Sequence, residues 1–181
     1  MFAVLTTDQK GAIAELAIAK TALEFGVGVY VPVTAGERYD MIFDIQGRLV
    51  RVQCKWAARH EDVIVVRCYR TRRNRDGLLN RRYTAEEIDA YAAYCADLGK
   101  CYFLPFADFA GRRNIQLRLR PARNNQRLRI NWAGEFEFAA TLGRLGAVAQ
   151  LGERESGRLE VTGSSPVGST SELRQLPELS F

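Results

Sequence analysis

A mixed α/β domain, with a β-sheet core flanked by helices, is the fold class that this sequence predicts, on three observations. The chain has 181 residues, 47% of them hydrophobic, which is enough for one sizeable core. Two segments, Thr6–Gln9 and Thr84–Glu87, carry the Thr-x-x-Gln/Glu pattern of a helix N-terminus. Between and after them run short stretches rich in β-branched and aromatic residues, punctuated by turn residues.

The first helix opens at Thr6, where Thr6 and Gln9 can satisfy orphan N–H groups reciprocally, continues through Ile13, Leu16, Ala17 and Leu23, and ends near Gly26. Four strands follow: VYVPV over 29–33, YDMIFDI over 39–45, RLVRVQCKW over 48–56 and DVIVVRCY over 62–69. The second capping box predicts a helix from Thr84 to about Leu98. CYFLP and NIQLRLR read as two more strands, and a last helix starts near Trp132 or Ala133 and runs through Phe136 and Phe138 to Leu142. Beyond about Leu145 the sequence has few large apolar residues and no sustained period. Residues 1–145 are therefore expected to form the domain and 146–181 a flexible, disordered C-terminal tail. Within that tail AVAQLGER and GSSPVGST resemble in-frame translations of the two most uniform stretches of a bacterial tRNA gene.

Charge is unevenly spread. Of 26 basic residues only Lys10, Lys20, Lys55 and Lys100 are lysines, so the rest are arginine. Residues 63–82 hold seven Arg against one Asp, as do residues 101–132, and each block carries +6 within a chain whose net charge is +5. Two such blocks interleaved with Tyr69, Tyr83 and Tyr102 suit contact with phosphate. The four cysteines lack CxxC spacing, and a single His60 can supply neither a His-rich metal cage nor an obvious Ser-His-Asp triad. Core packing accounts for the cysteines, as reduced thiols in a cytoplasmic protein. No run approaches the roughly 18 apolar residues of a membrane span, and the N-terminus does not read as a secretory signal.

One hairpin can carry chemistry. Gln46-Gly47 is a two-residue loop between strand-like runs, so opposed residues sum to 93 if Ile45 faces Arg48. Asp40 then faces Gln53, and Lys55 shares their side by period-two alternation, while Val50, Val52, Cys54 and Trp56 turn to the core. A carboxylate, an amide and an ammonium at one end of a hairpin suit phosphodiester hydrolysis with a hard divalent cation, Mg²⁺ or Mn²⁺. Asp40 would be the main ligand, with the Gln53 carbonyl, the Cys54 main-chain carbonyl and Glu15 of the first helix adding oxygens. Lys55 would orient the attacking water or offset charge on the phosphate. From spacing alone the pattern is weak, and a surface hairpin with an Asp–Lys ion pair worth roughly 0–1 kcal/mol explains it as well.

The order Glu15, then Tyr39-Asp40, then Gln53-Cys54-Lys55 resembles the PD-(D/E)xK nuclease core. GAIAELAIAKTALEFGVGVYVPV, YDMIFDIQGRLVRVQCKW, RRYTAEEID and RNNQ with INWA resemble its group I intron homing endonuclease branch over roughly residues 5–142. Gln53 departs from the Asp or Glu usual in the superfamily, although the homing branch also resembles this sequence in having Gln there, and Tyr39 stands where Pro is usual. The resemblance implies a restriction-endonuclease-like sheet core and a site-specific, metal-dependent endonuclease acting on double-stranded DNA, with further copies of the same chain as partners in a dimer or tetramer. Arg70, Arg72, Arg73, Arg75, Arg81 and Arg82 would contact DNA, as would Arg112, Arg113, Arg123, Asn124, Asn125 and Gln126. A restriction, repair or junction-resolving nuclease on the same core is the alternative, as is a catalytically inactive DNA-binding protein.

Overall fold

The computed structural model describes residues 4–34, 36–75, 77–121 and 128–144. The first helix, α1 (Thr7–Glu24), starts as expected: Thr6 and Gln9 exchange both bonds of the capping box. It stops at the predicted place too, with Phe25 as C-cap and Gly26 at φ +73°, a left-handed conformation glycine adopts freely. Its buried stripe is Ala14, Ile18 and Ala22, whereas Leu16 and Leu23 stand 72% and 61% exposed. The expected face built on Leu16 and Leu23 is thus corrected. The i, i+4, i+8 row with two alanines lets the helix axis approach the sheet closely.

Among the described residues, nine strands follow it: β1 (Gly28–Tyr30), β2 (Met41–Ile45), β3 (Arg48–His60), β4 (Val63–Arg67), β5 (Tyr69–Asn74), β6 (Gly77–Arg82), β7 (Ala90–Cys95), β8 (Lys100–Pro105) and β9 (Asn114–Arg118). The run predicted over 29–33 is shorter than expected, because pairing with β2 ends at Tyr30 and Pro32 has no N–H to give a ladder. The run predicted over 62–69 breaks at Cys68, where pairing changes from β9 to β6. β5 and β6 form a separate antiparallel ribbon that the sequence reading did not separate from its basic block.

The largest correction concerns residues 84–98. One half of the capping box forms: Thr84 N–H donates to the Glu87 carboxylate at 3.2 Å, while the Glu87 and Ile88 N–H groups donate to the Thr84 main-chain carbonyl, both at 3.1 Å. One turn later the chain becomes β7 instead of a helix. Five of the six residues of Ala-Tyr-Ala-Ala-Tyr-Cys are buried, and a segment covered on both faces reads as a continuous apolar run with no polar stripe. β7 runs parallel to β3, from Val52↔Ala90 to Ala57↔Cys95, and its start is clamped by Arg51. The Arg51 guanidinium donates to both Asp89 oxygens at 3.0 and 2.9 Å, and its main-chain N–H to Oδ2 at 2.8 Å.

β1, β2, β3, β4, β9, β7 and β8 make one seven-stranded mixed sheet, with β3 as the strand shared by β2, β4 and β7. Two apolar layers cover it. One holds α1, Val50, Val52, Cys54, Phe43 and Phe103; the other holds Ile64, Val66, Tyr91, Leu104, Ile115 and Leu117. A short helix, α2 (Phe106–Phe109), and a 3₁₀ turn at Ala133–Phe136 close the second layer. The last predicted helix is therefore split: the 3₁₀ turn first, then a helical stretch over 138–144. All four cysteines are free and buried, as core residues. No helix of the described residues is long and apolar enough to cross a membrane. Residues 145–181 lie outside the described residues, so the expectation of a disordered tail concerns a part that the structure does not describe.

Candidate active site

The β2–β3 hairpin has the register computed from the sequence. Ile45 pairs Arg48, Met41 pairs Val52, and every pair sums to 93. Gln46 and Gly47 take φ +54° and +82°, both in the left-handed region that a tight two-residue hairpin turn requires. One residue before β2 the pairing departs from that sum: the Asp40 N–H donates at 2.9 Å to the carbonyl of Val52, the residue already paired with Met41, so the expected Asp40–Gln53 ladder pair is replaced by a meeting of their side chains.

Asp40 Oδ2 accepts the Cys54 main-chain N–H at 2.8 Å and also the Gln53 amide. That Gln53 nitrogen lies 3.4 Å from the Cys54 carbonyl. The amide donors thus bridge the two oxygens of Asp40 and Cys54 that sequence reasoning gave to a cation, and Gln53 could ligate through oxygen only with its amide turned over. Gln53 itself is buried, one of two buried polar side chains among the described residues. Burial raises the Asp40 carboxyl, against the lowering effects of the Cys54 N–H, Lys55 and Arg70. At the rim, Glu15 is raised by partial burial and then by the charge of Asp40. Burial holds the Cys54 thiol well above its usual range, so this residue offers its carbonyl oxygen and not a thiolate.

Lys55 points away from Cys54, as alternation requires. No ion pair joins it to Asp40 among the described residues. Its Nζ donates instead to the Tyr83 hydroxyl at 3.1 Å and lies 4.8 Å from the centre of that ring. Burial lowers the Lys55 ammonium while Asp40 opposes the shift. Tyr83, pushed up to about 12 by burial, stays a neutral hydroxyl. Arg38 covers the same ring at 4.5 Å and is held by Glu87 with two bonds of 2.9 Å. Sequence reasoning counted Tyr83 only among the aromatics of a basic block and missed Arg38; their positions follow from the β6–β7 connection, which no local pattern gives.

One cleft of about 400 Å³ collects Glu15, Asp40, Gln53, Lys55, Arg70 and Tyr83, with Tyr39 and the β1–β2 loop completing its wall. The four predicted catalytic residues are brought together. Of the predicted DNA contacts, Arg70 lines this cleft. Arg81 is tied to Glu87 at 2.7 Å and Arg82 to the Gly111 carbonyl at 3.1 Å, while Arg75 is exposed at the β5–β6 turn. Arg72 and Arg73 belong to β5, Arg112 and Arg113 precede β9, and Arg123, Asn124, Asn125 and Gln126 lie outside the described residues. Among the described residues no group of three or more His, Cys, Asp or Glu converges. Glu37 lines the cleft as a third carboxylate without converging on the others, so a cation here would depend on Asp40, Glu15 and neutral oxygens, a donor set that suits a hard ion and not zinc.

The sequence profile of the PD-(D/E)XK endonuclease family matches residues 5–139. The chain belongs to this family. Among solved structures, the PD-(D/E)XK chain is similar to the bacterial homing endonuclease I-Ssp6803I, with 30% identity over 81% of this chain and 99% of that one and a TM-score of 0.65. Curated proteins give no match. The restriction-endonuclease-like fold and a nuclease activity follow from family and neighbour together.

Proposed function

We propose that this PD-(D/E)XK nuclease is a Mg²⁺- or Mn²⁺-dependent endonuclease that cuts double-stranded DNA at a specific site, as in intron homing. The observation that carries the proposal is the single cleft in which Glu15, Asp40, Gln53 and Lys55 meet under Arg70. Its all-oxygen donor set fits a hard cation, which when bound supplies Lewis-acid polarisation of a phosphate and a more acidic water. Asp40 would hold that cation, with Gln53 and the Cys54 carbonyl beside it and Glu15 reaching in from α1. With no third carboxylate converging on Asp40 and Glu15 among the described residues, substrate phosphate oxygens would complete the coordination, so binding of cation and of DNA should reinforce each other. Lys55 donates a proton bond to a phosphate oxygen or to the attacking water, and Arg70 neutralises charge that grows on the phosphate. Water oxygen becomes bonded to phosphorus as one phosphorus–oxygen ester bond of the backbone breaks, the departing oxygen taking a proton.

A duplex cut on both strands needs two such sites, and one protomer supplies one. A twofold-symmetric dimer or tetramer meets that need. The exposed Leu16 and Leu23 on α1 are apolar surface available for such contacts. The test is cleavage of plasmid carrying an uninterrupted copy of the gene that flanks this reading frame, with and without Mg²⁺. Asp40→Ala and Lys55→Ala should each abolish cutting while duplex binding stays within about tenfold of wild type, because both groups act on the transition state more than on affinity. Wild-type rates in either variant would overturn the assignment, and a wild-type protein that binds duplex but never cuts would make this chain an inactive DNA-binding protein.

A further inference from the structure

The second open cleft of the molecule, about 380 Å³, lies at the far edge of the sheet, away from the catalytic residues. It is built on β9. In that strand Ile115 and Leu117 are fully buried in the core, while Asn114 and Gln116 are exposed and Arg118 is half-buried. Period-two alternation therefore sets Asn114, Gln116 and Arg118 in one row on the outer side. Arg112, just before the strand, and Arg129 line the same cleft, and no Asp or Glu does. Among the described residues, none of these three arginines has a carboxylate partner.

The cleft is held in shape from its open side. The Arg118 N–H donates to the Asn131 carbonyl at 2.8 Å, and the Asn131 side-chain amide donates to the Gln116 carbonyl at 3.2 Å. Those main-chain groups of β9 are taken, so the row offers side chains and not a strand edge to a partner. Arg129 sits at φ +56°, a left-handed conformation that costs a non-glycine residue about 1–2 kcal/mol and persists where the surroundings hold it.

We propose that this face reads duplex DNA, with Arg112, Arg118 and Arg129 on phosphates and the Asn114 and Gln116 amides on base edges. The proposal rests on the reading of the chain as a DNA endonuclease and adds residues that would determine its specificity. Charge and chemistry favour a nucleic acid: three unpaired guanidiniums suit phosphate, and Asn or Gln pairs with adenine through two hydrogen bonds. Spacing favours a duplex. Alternate residues of a strand repeat every 6.4–6.8 Å or so, about two base steps of B-DNA. The surface also connects to the catalytic cleft. Arg113 accepts the Cys68 N–H through its carbonyl at 2.8 Å and lies 5.9 Å over the Tyr69 ring, and the next residue, Arg70, lines that cleft.

The test uses the full chain carrying Asp40→Ala, so that DNA is bound without being cut. Binding of a fluorescent 30-base-pair duplex of mixed sequence is measured by anisotropy at several salt concentrations. Binding sites are also selected from a pool of randomised duplexes. Adding R112A/R118A/R129A should lower the slope of log K against log salt by about 2.7, since each phosphate contact contributes about 0.9. Adding N114A/Q116A should leave that slope alone and weaken the selected preference at the bases they face by roughly 5- to 150-fold per position. If the slope and the selected sequences both stay as in Asp40→Ala alone, the β9 surface is not a DNA reader, although the nuclease reading stands. If the arginine variant loses affinity while the amide variant selects the same sequences, the base-reading part is overturned. If neither the wild-type chain nor Asp40→Ala binds duplex at low salt, the DNA endonuclease reading falls and this proposal with it.

Discussion

Lys55 is held by opposing demands: burial disfavours its charge, and Asp40 together with the Tyr83 hydroxyl and ring favours it. The consequence of removing the hydroxyl has a definite sign. An acceptor lost from a protonated ammonium makes that form less favourable, so the Lys55 pKa falls further and the alkaline limb of the cleavage profile moves to lower pH. Tyr83→Phe should show this shift with nearly unchanged duplex affinity, and Tyr83→Leu, which also loses the ring face, should move the limb further. An unmoved limb in both variants, measured as single-turnover cleavage against pH, would remove Tyr83 from the site. Gln53 gives a second expectation. Gln53→Glu offers the carboxylate usual in the superfamily and should bind Mg²⁺ more tightly with activity retained, whereas Gln53→Ala should be much weaker. Calorimetric Mg²⁺ titrations of the three proteins decide it, because inactivation by Glu together with tolerance of Ala would make Gln53 a structural hydrogen-bonding residue. Asp40, Gln53 and Lys55 were legible from the sequence because a two-residue turn fixes the register of β2 against β3 as far as Met41 and Val52, and Asp40 meets Gln53 one step beyond it through side chains. Tyr83 and Arg38 were not, since they reach the site from segments about 28 and 17 positions away from Lys55 in the chain, through tertiary packing alone.

The hairpin turn is the element on which that register depends. Gly47 at φ +82° occupies a conformation that costs an L side chain about 1–2 kcal/mol, and Gln46 before it already bears such a conformation. Gly47→Val should lower stability by about that amount or more, read as a fall in urea midpoint, and should impair cutting beyond the stability loss if the turn slips by one residue. An equal midpoint with full activity would show that the register is held by the sheet and not by its turn. The segment from Thr84 shows the opposite balance between local and tertiary signals. One of its capping bonds forms, from the Thr84 N–H to Glu87, yet Glu87 is also engaged by Arg38 and Arg81, and Asp89 by Arg51, which anchors the chain for entry beside β3. A capping box specifies where a helix could begin and says nothing of whether a buried slot in a parallel pair will claim the residues after it. The split of the last predicted helix has a similar origin: Glu137 bridges to Tyr102 of β8 and Lys100 binds its carboxylate at 2.6 Å, drawing one residue out of the helical run.

At the scale of the molecule, the family match ends at residue 139 while the chain continues to 181. The remaining segment, 146–181, carries little large apolar sequence and no candidate site residue. A chain ending at Leu145 should therefore keep its fold, its assembly state and its cutting. A thermal midpoint lower by several degrees would correspond to roughly 1 kcal/mol of lost packing in a domain of this size, and a change of mass by light scattering would show a role in assembly. The mixed α/β class was legible in the composition and strand runs, but the branching of the sheet at β3 was not, because pairing between distant strands leaves no local signature.

β3 is 13 residues long, whereas β2 has five, and pairing with β2 ends at Val52 while pairing with β4 begins at Ala58. From Gln53 to Ala57 the strand has a neighbouring strand, β7, on one side only. Asp40 takes the Cys54 N–H there with its side chain, and Lys55 stands beside it. The carboxylate proposed to hold the cation thereby also stands in for a missing strand partner, so Asp40→Ala leaves a buried N–H without its acceptor and should cost about 1–3 kcal/mol of stability beside the loss of cutting.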